Sequence, residues 1–215
     1  MRVVVTCGPS YEPIDEVRRL TNFSTGELGV VLANQLAGAG CEVLCFKGVG
    51  ATWPGRVEGG QVIPFATNAS LRAELEAIED RAKVAAVFHA AALCDYSVKS
   101  IRTSEGTELA AAKIPSRAGE LVLTLVPAEK LIAGLRALFP ASRIVGWKFE
   151  LNGDRAGAIL AAERQLMVCE TDACVLNGAA YGSGFGFLEK NGAMVHCADK
   201  AELSKFLVQW LGRGA

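Results

Sequence analysis

Short runs of β-branched and aromatic residues alternate with longer stretches of helical periodicity along the whole chain. Arg2–Thr6 is a nearly unbroken apolar run closed by Gly8-Pro9, too short for a helix and patterned like a strand buried on both faces. Gly26–Ala39 carries Leu28, Leu32 and Leu36 on one helical face, and Gly38 and Gly40 mark its stop. Strands are then predicted at Glu42–Lys47, Val62–Phe65 and Val84–Ala90, with an amphipathic helix at Ser70–Arg81. Glu120–Val126 alternates apolar and polar positions, and Ala128–Leu138 is a helix ended by Pro140. Arg143–Lys148 and Ala173–Leu176 read as strands around a helix at Asp154–Glu170. Phe185–Glu189 and Ala193–Cys197 flank Asn191-Gly192, a strong hairpin signal, and Asp199 caps a last helix at Ala201–Leu211.

Strand–helix–strand alternation implies an α/β fold: a Rossmann-like, doubly wound, mostly parallel sheet with a C-terminal β-hairpin. With no repeat, no linker and one Gly-rich surface loop at 48–60, residues 1–215 read as a single domain. Composition narrows the function. At 51% hydrophobic and 21% charged the chain is no disordered polymer. Its 22 Lys and Arg against 23 Asp and Glu leave a net charge of -1, which argues against a nucleic-acid partner. No apolar run reaches the ~18 residues of a membrane span, and Met1–Thr6 lacks the features of a signal peptide. The seven cysteines (7, 41, 45, 94, 169, 174, 197) form no C-x-x-C pair, and with two histidines available no metal site is expected. Reduced, buried thiols in a cytoplasmic protein are the expectation, and the Asn22-Phe-Ser and Asn68-Ala-Ser sequons carry no weight.

Ligands of such sheets bind beyond the carboxyl ends of the strands, so the loops that follow strands hold the candidate chemistry. Cys7–Thr25 is long and lacks G-x-G-x-x-G, which removes the ordinary NAD fingerprint. It ends in Thr21-Asn22-Phe23-Ser24-Thr25-Gly26, where Ser24 or Thr25 caps the helix and the free N–H groups at Gly26 suit a phosphate; a plain capped helix is the competing reading. Gly29 permits close helix–sheet packing. Ala91-Ala92 let a ligand approach the backbone, and Asp95 serves a ribose hydroxyl, Mg²⁺ or merely a turn. Lys113, before Pro115, is either a solvated side chain or one that closes on a polyphosphate. Trp147, Lys148, Asn177 and Phe185 offer an aromatic and amide setting for a base.

Together these segments resemble the phosphopantothenoylcysteine synthetase family. The resemblance rests on Val5-Thr6-Cys7-Gly8-Pro9-Ser10-Tyr11-Glu12-Pro13-Ile14-Asp15, Val17-Arg18 and Thr21-Asn22-Phe23-Ser24-Thr25-Gly26. Ala91-Ala92-x-x-Asp95-Tyr96, Lys113-Ile114, Gly146-Trp147-Lys148-x-Glu150, Asn177 and Gly184-Phe185 follow in the family's order. It implies an acid–amino-acid ligase of coenzyme A biosynthesis that activates phosphopantothenate with CTP or ATP and Mg²⁺, then joins it to cysteine; neither flavin nor NAD is implied. By match, Asn22, Lys113 and Arg18 are catalytic. Gly8, Ser24, Thr25, Gly26, Ala91, Ala92, Asp95, Lys113, Trp147, Lys148, Asn177 and Phe185 bind the nucleotide. The family also implies a homodimer in which an extended loop, or strap, carries the lysine to the active site across the dimer. A separate flavin-dependent decarboxylase is a further expected partner, since residue 1 opens the first strand and no such domain is expected ahead of it. Departures from the family pattern are Pro115-Ser116 in place of two lysines, Ala128-Glu129 in place of Asn/Thr-Pro, and Gly178 in place of an aspartate. Two other readings stay open: a divergent member acting on another acid or amine, and a nucleotide-binding module without turnover.

Overall fold

The computed structural model describes residues 1–109 and 112–213. Its centre is an eight-stranded sheet built from β1 (Arg2–Cys7), β4 (Glu42–Gly48), β5 (Gly60–Phe65), β6 (Val84–His89), β9 (Arg143–Phe149), β10 (Ala173–Asn177), β11 (Phe185–Glu189) and β12 (Met194–Cys197). The spatial order is β12-β11-β10-β9-β6-β1-β4-β5. All pairings are parallel except those of β11, which runs antiparallel to β10 and β12. The chain leaves β1 toward β4 and β5, then crosses back to β6 on the other side of β1. That reversal makes the gap between the ends of β1 and β6 a topological switch point, where open α/β sheets bind ligands.

Alternation along β1 distributes the core between the two faces. Val3, Val5 and Cys7 share a buried cluster with Val30, Leu32 and Leu36 of α1 (Glu27–Gly38) and Leu203, Leu207 and Trp210 of α5 (Lys200–Gly212). Val4 faces the opposite side, among Leu71 and Leu75 of α2 (Asn68–Glu76) and Leu131 and Leu135 of α3 (Leu131–Leu138). α4 (Arg155–Val168) buries Ala158, Ala162 and Leu166 against Cys174, Leu176 and Leu188. The result is helices on both faces of a doubly wound sheet. All seven cysteines are free and buried.

Two antiparallel ribbons stand apart from the central sheet. β2 (Tyr11–Pro13) pairs with β3 (Arg19–Thr21) inside the long loop after β1. β7 (Tyr96–Thr103) pairs with β8 (Leu121–Pro127), and the segment between them carries Lys113. The sequence reading predicted the second of these strands and none over Tyr96–Thr103. β7 mixes polar and apolar positions and buries only Ile101 fully, so no run of buried positions marks it. The helix expected at Ser70–Arg81 instead starts at Asn68 and stops at Glu76; Thr67 and Ser70 form a reciprocal capping box, and a short 3₁₀ turn at Arg81–Lys83 follows. The helix expected from Ala128 starts at Leu131. The predicted hairpin and the Asp199 cap are present, the latter accepting from the Glu202 N–H at 2.8 Å.

Gly29 sets how closely α1 approaches β1: a Cβ built there falls 2.1 Å from the Cys7 Cβ. Gly29→Ala is therefore expected to lower stability by about 1–3 kcal/mol through overpacking, despite a helix-propensity gain of up to about 1 kcal/mol. Urea unfolding measures it. An unchanged or raised midpoint would contradict the close packing.

Candidate functional site

Backbone pairing between β1 and β6 continues past the ends of both strands. Ala90 N–H donates to the Thr6 carbonyl (3.1 Å), Ala92 N–H to Gly8 (2.9 Å) and Ser10 N–H to Ala92 (3.2 Å). The Ser10 hydroxyl then accepts from Cys94 N–H at 2.8 Å, and the Thr21 hydroxyl donates to the Ser10 carbonyl at 2.7 Å. This ladder holds Asn22, whose Nδ2 donates to the Leu93 carbonyl at 2.9 Å and lies 3.4 Å from that of Ala92. Phe23 beside it is fully exposed.

Above the switch point lies a cavity of about 660 Å³, within the range of roughly 300–1,000 Å³ usual for small-molecule sites. Asn22, Gly8, Ser24, Thr25 and Gly26 line it from the first loop, and Ala91, Ala92 and Asp95 from the loop after β6. Trp147, Lys148, Asn177 and Phe185 close it over β9–β11. Twelve of the proposed site residues, scattered from Gly8 to Phe185, thus share one space. Arg18 and Lys113 do not line it. Arg18 pairs with Asp15, and Lys113 is exposed on the strap.

The α1 end of the cavity is an open helix terminus. Gly26, at φ 77°, is the N-cap, so neither Ser24 nor Thr25 caps the helix as the sequence suggested. The Thr25 hydroxyl instead accepts from Glu27 N–H at 3.3 Å, outside the helix's own ladder. Apart from Glu27 N–H, which Thr25 takes, the left-handed cap leaves first-turn N–H groups available to an anion, in line with the helix dipole. The one carboxylate of that turn, Glu27, is engaged by Lys200 at the start of α5.

Each lysine on the cavity wall has a carboxylate partner: Lys130 with Asp95, Lys200 with Glu27, and Lys148 with Glu150 at 3.3 Å. Such half-exposed pairs are worth about 0–1 kcal/mol each, so an anionic ligand can exchange partners with them. Asp95 and Glu129 are exposed carboxylates on the same wall, Glu129 paired with Arg72. Among the described residues no three His, Cys, Asp or Glu side chains converge as a ready metal site. His89 lines the cavity floor, where burial pushes its pKa down to about 4; its Nδ1 is 2.8 Å from the Thr6 hydroxyl, and the ring is neutral at physiological pH. Cys7 also lines the floor. Its hydrogen bond with Cys45, and then burial, push the thiol well above its ordinary range, so it is no thiolate nucleophile.

Sequence reasoning missed His89, Asn68, Gln165, Glu27, Lys130 and Lys200 as wall residues. His89 did carry a signal, as the polar end of an otherwise apolar strand. Lys200 and Glu27 carried none, because their pairing joins two helix starts separated by 173 positions. Trp147 Nε1 and Asn68 Oδ1, both in side chains lining the cavity, are buried without a hydrogen-bond partner. Asn68 Nδ2 donates to the Cys94 carbonyl, which fixes the amide orientation.

Among described residues, no helix is long and apolar enough to cross a membrane. Comparison with known proteins places the chain in a family. Residues 1–208 match the model of the DNA/pantothenate metabolism flavoprotein C-terminal domain. The chain is 32% identical over 187 residues to the coenzyme A biosynthesis bifunctional protein CoaBC of Thermococcus kodakarensis, covering 85% of this chain and 42% of that one. It thus spans less than half the length of that relative. The DNA/pantothenate metabolism flavoprotein from Streptococcus pneumoniae superposes with a TM-score of 0.88 at 23% identity, over 100% of both chains. A Cab2 mutant in complex with phosphopantothenate-cysteine superposes with a TM-score of 0.74 at 17% identity, over 99% of this chain and 85% of the other. With the matching fold and nearly the full length covered, the chain belongs to the DNA/pantothenate metabolism flavoprotein C-terminal domain family.

Proposed function

We propose that the protein is a phosphopantothenate–cysteine ligase that activates its acid with a nucleoside triphosphate, CTP or ATP. The observation that carries this reading is the meeting, in one cavity, of an open helix N-terminus with Asn22 and the Ala91-Ala92 backbone. Anion-binding N–H groups stand beside a neutral amide, as attack of a carboxylate on a phosphate requires. The names of the relatives support the choice of substrates. The reaction has two steps. A phosphopantothenate carboxylate oxygen attacks the α-phosphorus and pyrophosphate leaves, giving an acyl-nucleotidylate. The amino group of cysteine then attacks the acyl carbon, the nucleoside monophosphate departs, and a proton is lost as the amide forms.

In this scheme the protein contributes position and charge rather than covalent chemistry. Gly8 and Ser24–Gly26 hold phosphate oxygens through backbone N–H groups and short hydroxyls. Asn22 contacts the acid and the acyl phosphate, while Asp95 holds the nucleotide. Trp147, Lys148, Asn177 and Phe185 surround the base. Mg²⁺ enters as part of the nucleotide cosubstrate; it commonly keeps most of its waters and takes one or two carboxylates with the phosphates, a demand Asp95 and Glu129 are able to meet. Lys113 offsets the charge of departing pyrophosphate. Because Lys113 lies outside its own chain's cavity, the reading includes a homodimer in which each strap serves the other subunit. A cytoplasmic location and a flavin-dependent decarboxylase as a partner protein complete it.

The direct test is pyrophosphate release with CTP or ATP, phosphopantothenate, cysteine and Mg²⁺, each omitted in turn. Release that depends on nucleotide and acid is expected; release from neither nucleotide across a panel of acids would end the ligase reading. Asn22→Ala is expected to cut amide formation on the order of 10²-fold, with nucleotide affinity largely kept, since a neutral amide serves the acyl group. Calorimetric titration with nucleotide checks this, and loss of nucleotide binding would reverse the placement of acid and triphosphate. Lys113→Gln is expected to slow pyrophosphate release on the order of 10²-fold in single-turnover quenching. A rate equal to the parent's would reduce Lys113 to a solvated side chain.

A further inference from the structure

We propose that Asp15 is a positioning residue for Lys113, its carboxylate locking strap residues 112–114 to the turn that leads into Asn22. This rests on the ligase reading for what Lys113 does, but not for the lock itself. The Asp15 side chain has 0% exposure and accepts five hydrogen bonds. Oδ1 takes the N–H groups of Val17 (2.9 Å) and Arg18 (2.7 Å). Oδ2 takes Arg18 Nε (3.0 Å), Arg18 Nη2 (2.5 Å) and, from 99 positions away, Ile114 N–H (3.1 Å). Arg18 Nη2 also donates to the Ile114 carbonyl at 2.7 Å, and Glu16 N–H donates to that of Ala112 at 2.9 Å. The turn therefore binds the strap on both sides of Lys113.

Several observations separate this lock from an ordinary surface ion pair. An exposed pair of long side chains contributes little and holds nothing in place. Here both oxygens are saturated with donors, Arg18 being the strongest influence that keeps the carboxyl below the usual carboxylate range, so it is ionised at neutral pH. Ile114 is itself only 1% exposed, which pins the residue next to Lys113 while the lysine stays at the surface. The other end of the same turn runs through β3 directly to Asn22, which the backbone ladder fixes at the cavity. Lys113 and Asn22, far apart in sequence, are thus referenced to one rigid turn. Arg18 acts here through the strap.

Asp15→Asn tests the lock because neither amide orientation can satisfy the site. Each oxygen faces only donors, so an NH₂ group placed at either position opposes two or three N–H groups. The variant and the parent are compared in two assays: tryptic cleavage after Lys113 and Arg117, mapped by mass spectrometry, and pyrophosphate release with varied nucleotide. Cleavage is expected to accelerate about tenfold or more, and kcat to fall about tenfold or more while KM for nucleotide changes little, as for a misplaced but intact catalytic group. Unchanged cleavage would overturn the lock whatever the activity. Faster cleavage with unchanged kcat, or a loss expressed in KM alone, would overturn the positioning role. If the parent releases no pyrophosphate, the ligase reading has failed and cleavage alone decides whether Asp15 holds the strap. Should Asp15→Asn not fold, Arg18→Ala, which removes the donors that join Asp15 to the Ile114 carbonyl, carries the same readouts with the same expected directions.

Discussion

The continuation of the β1–β6 pairing beyond the sheet is the constraint on which the rest of the site depends. Hydrogen bonds from Ala90 to Thr6, Ala92 to Gly8 and Ser10 to Ala92 carry the parallel register out into the two loops that flank the switch point. They leave the loops little freedom to separate, and every later element is hung from them. Cys94 and Thr21 bond to Ser10, and Asn22 bonds to the Leu93 carbonyl. Gly29 lets α1 settle against Cys7 so that its N-terminus opens beside the same ladder. The sheet thereby supplies a rigid floor, and loops supply the chemistry.

Charge is arranged on that floor in balanced pairs. Lys130 with Asp95 and Lys200 with Glu27 each join the start of a helix, or the residue before it, to another segment of the wall. These pairs offset charge within the cavity at little cost in either direction. Half-exposed ion pairs cost little to exchange, so the same lysines are the side chains an anionic ligand would meet on this wall. Lys113 is arranged differently. It is exposed on a strap whose two-stranded ribbon would be marginal alone, and the Asp15 lock compensates for that weakness.

Most of the central sheet was legible in the sequence because buried strands must be apolar on both faces, as in Arg2–Thr6, and because turn chemistry is local, as at Asn191-Gly192. Candidate site residues were legible where a loop follows a strand, and twelve of them share the cavity. What sequence could not convey was distance. β7 buries only Ile101 fully, so no periodicity announced it, and its partner β8 begins beyond a long segment. The pairing of Lys200 with Glu27 and of Asp15 with Ile114 depends on topology alone. The Gly26 cap escaped because Ser24 and Thr25 are better local caps in isolation, whereas position 26 takes φ 77° where a Cβ would fall 3.0 Å from that of Ala51.

The proposed activation of the acid by attack on the α-phosphate is tested most directly by the fate of its carboxylate oxygen. Phosphopantothenate labelled with ¹⁸O in the carboxylate is to be turned over with cysteine and nucleotide, and the products separated for mass spectrometry. The mechanism predicts one labelled oxygen in the nucleoside monophosphate and none in pyrophosphate. Label found in inorganic phosphate would indicate attack at the terminal phosphorus, and amide formed with no label in any phosphate product would contradict acyl-nucleotidylate chemistry altogether.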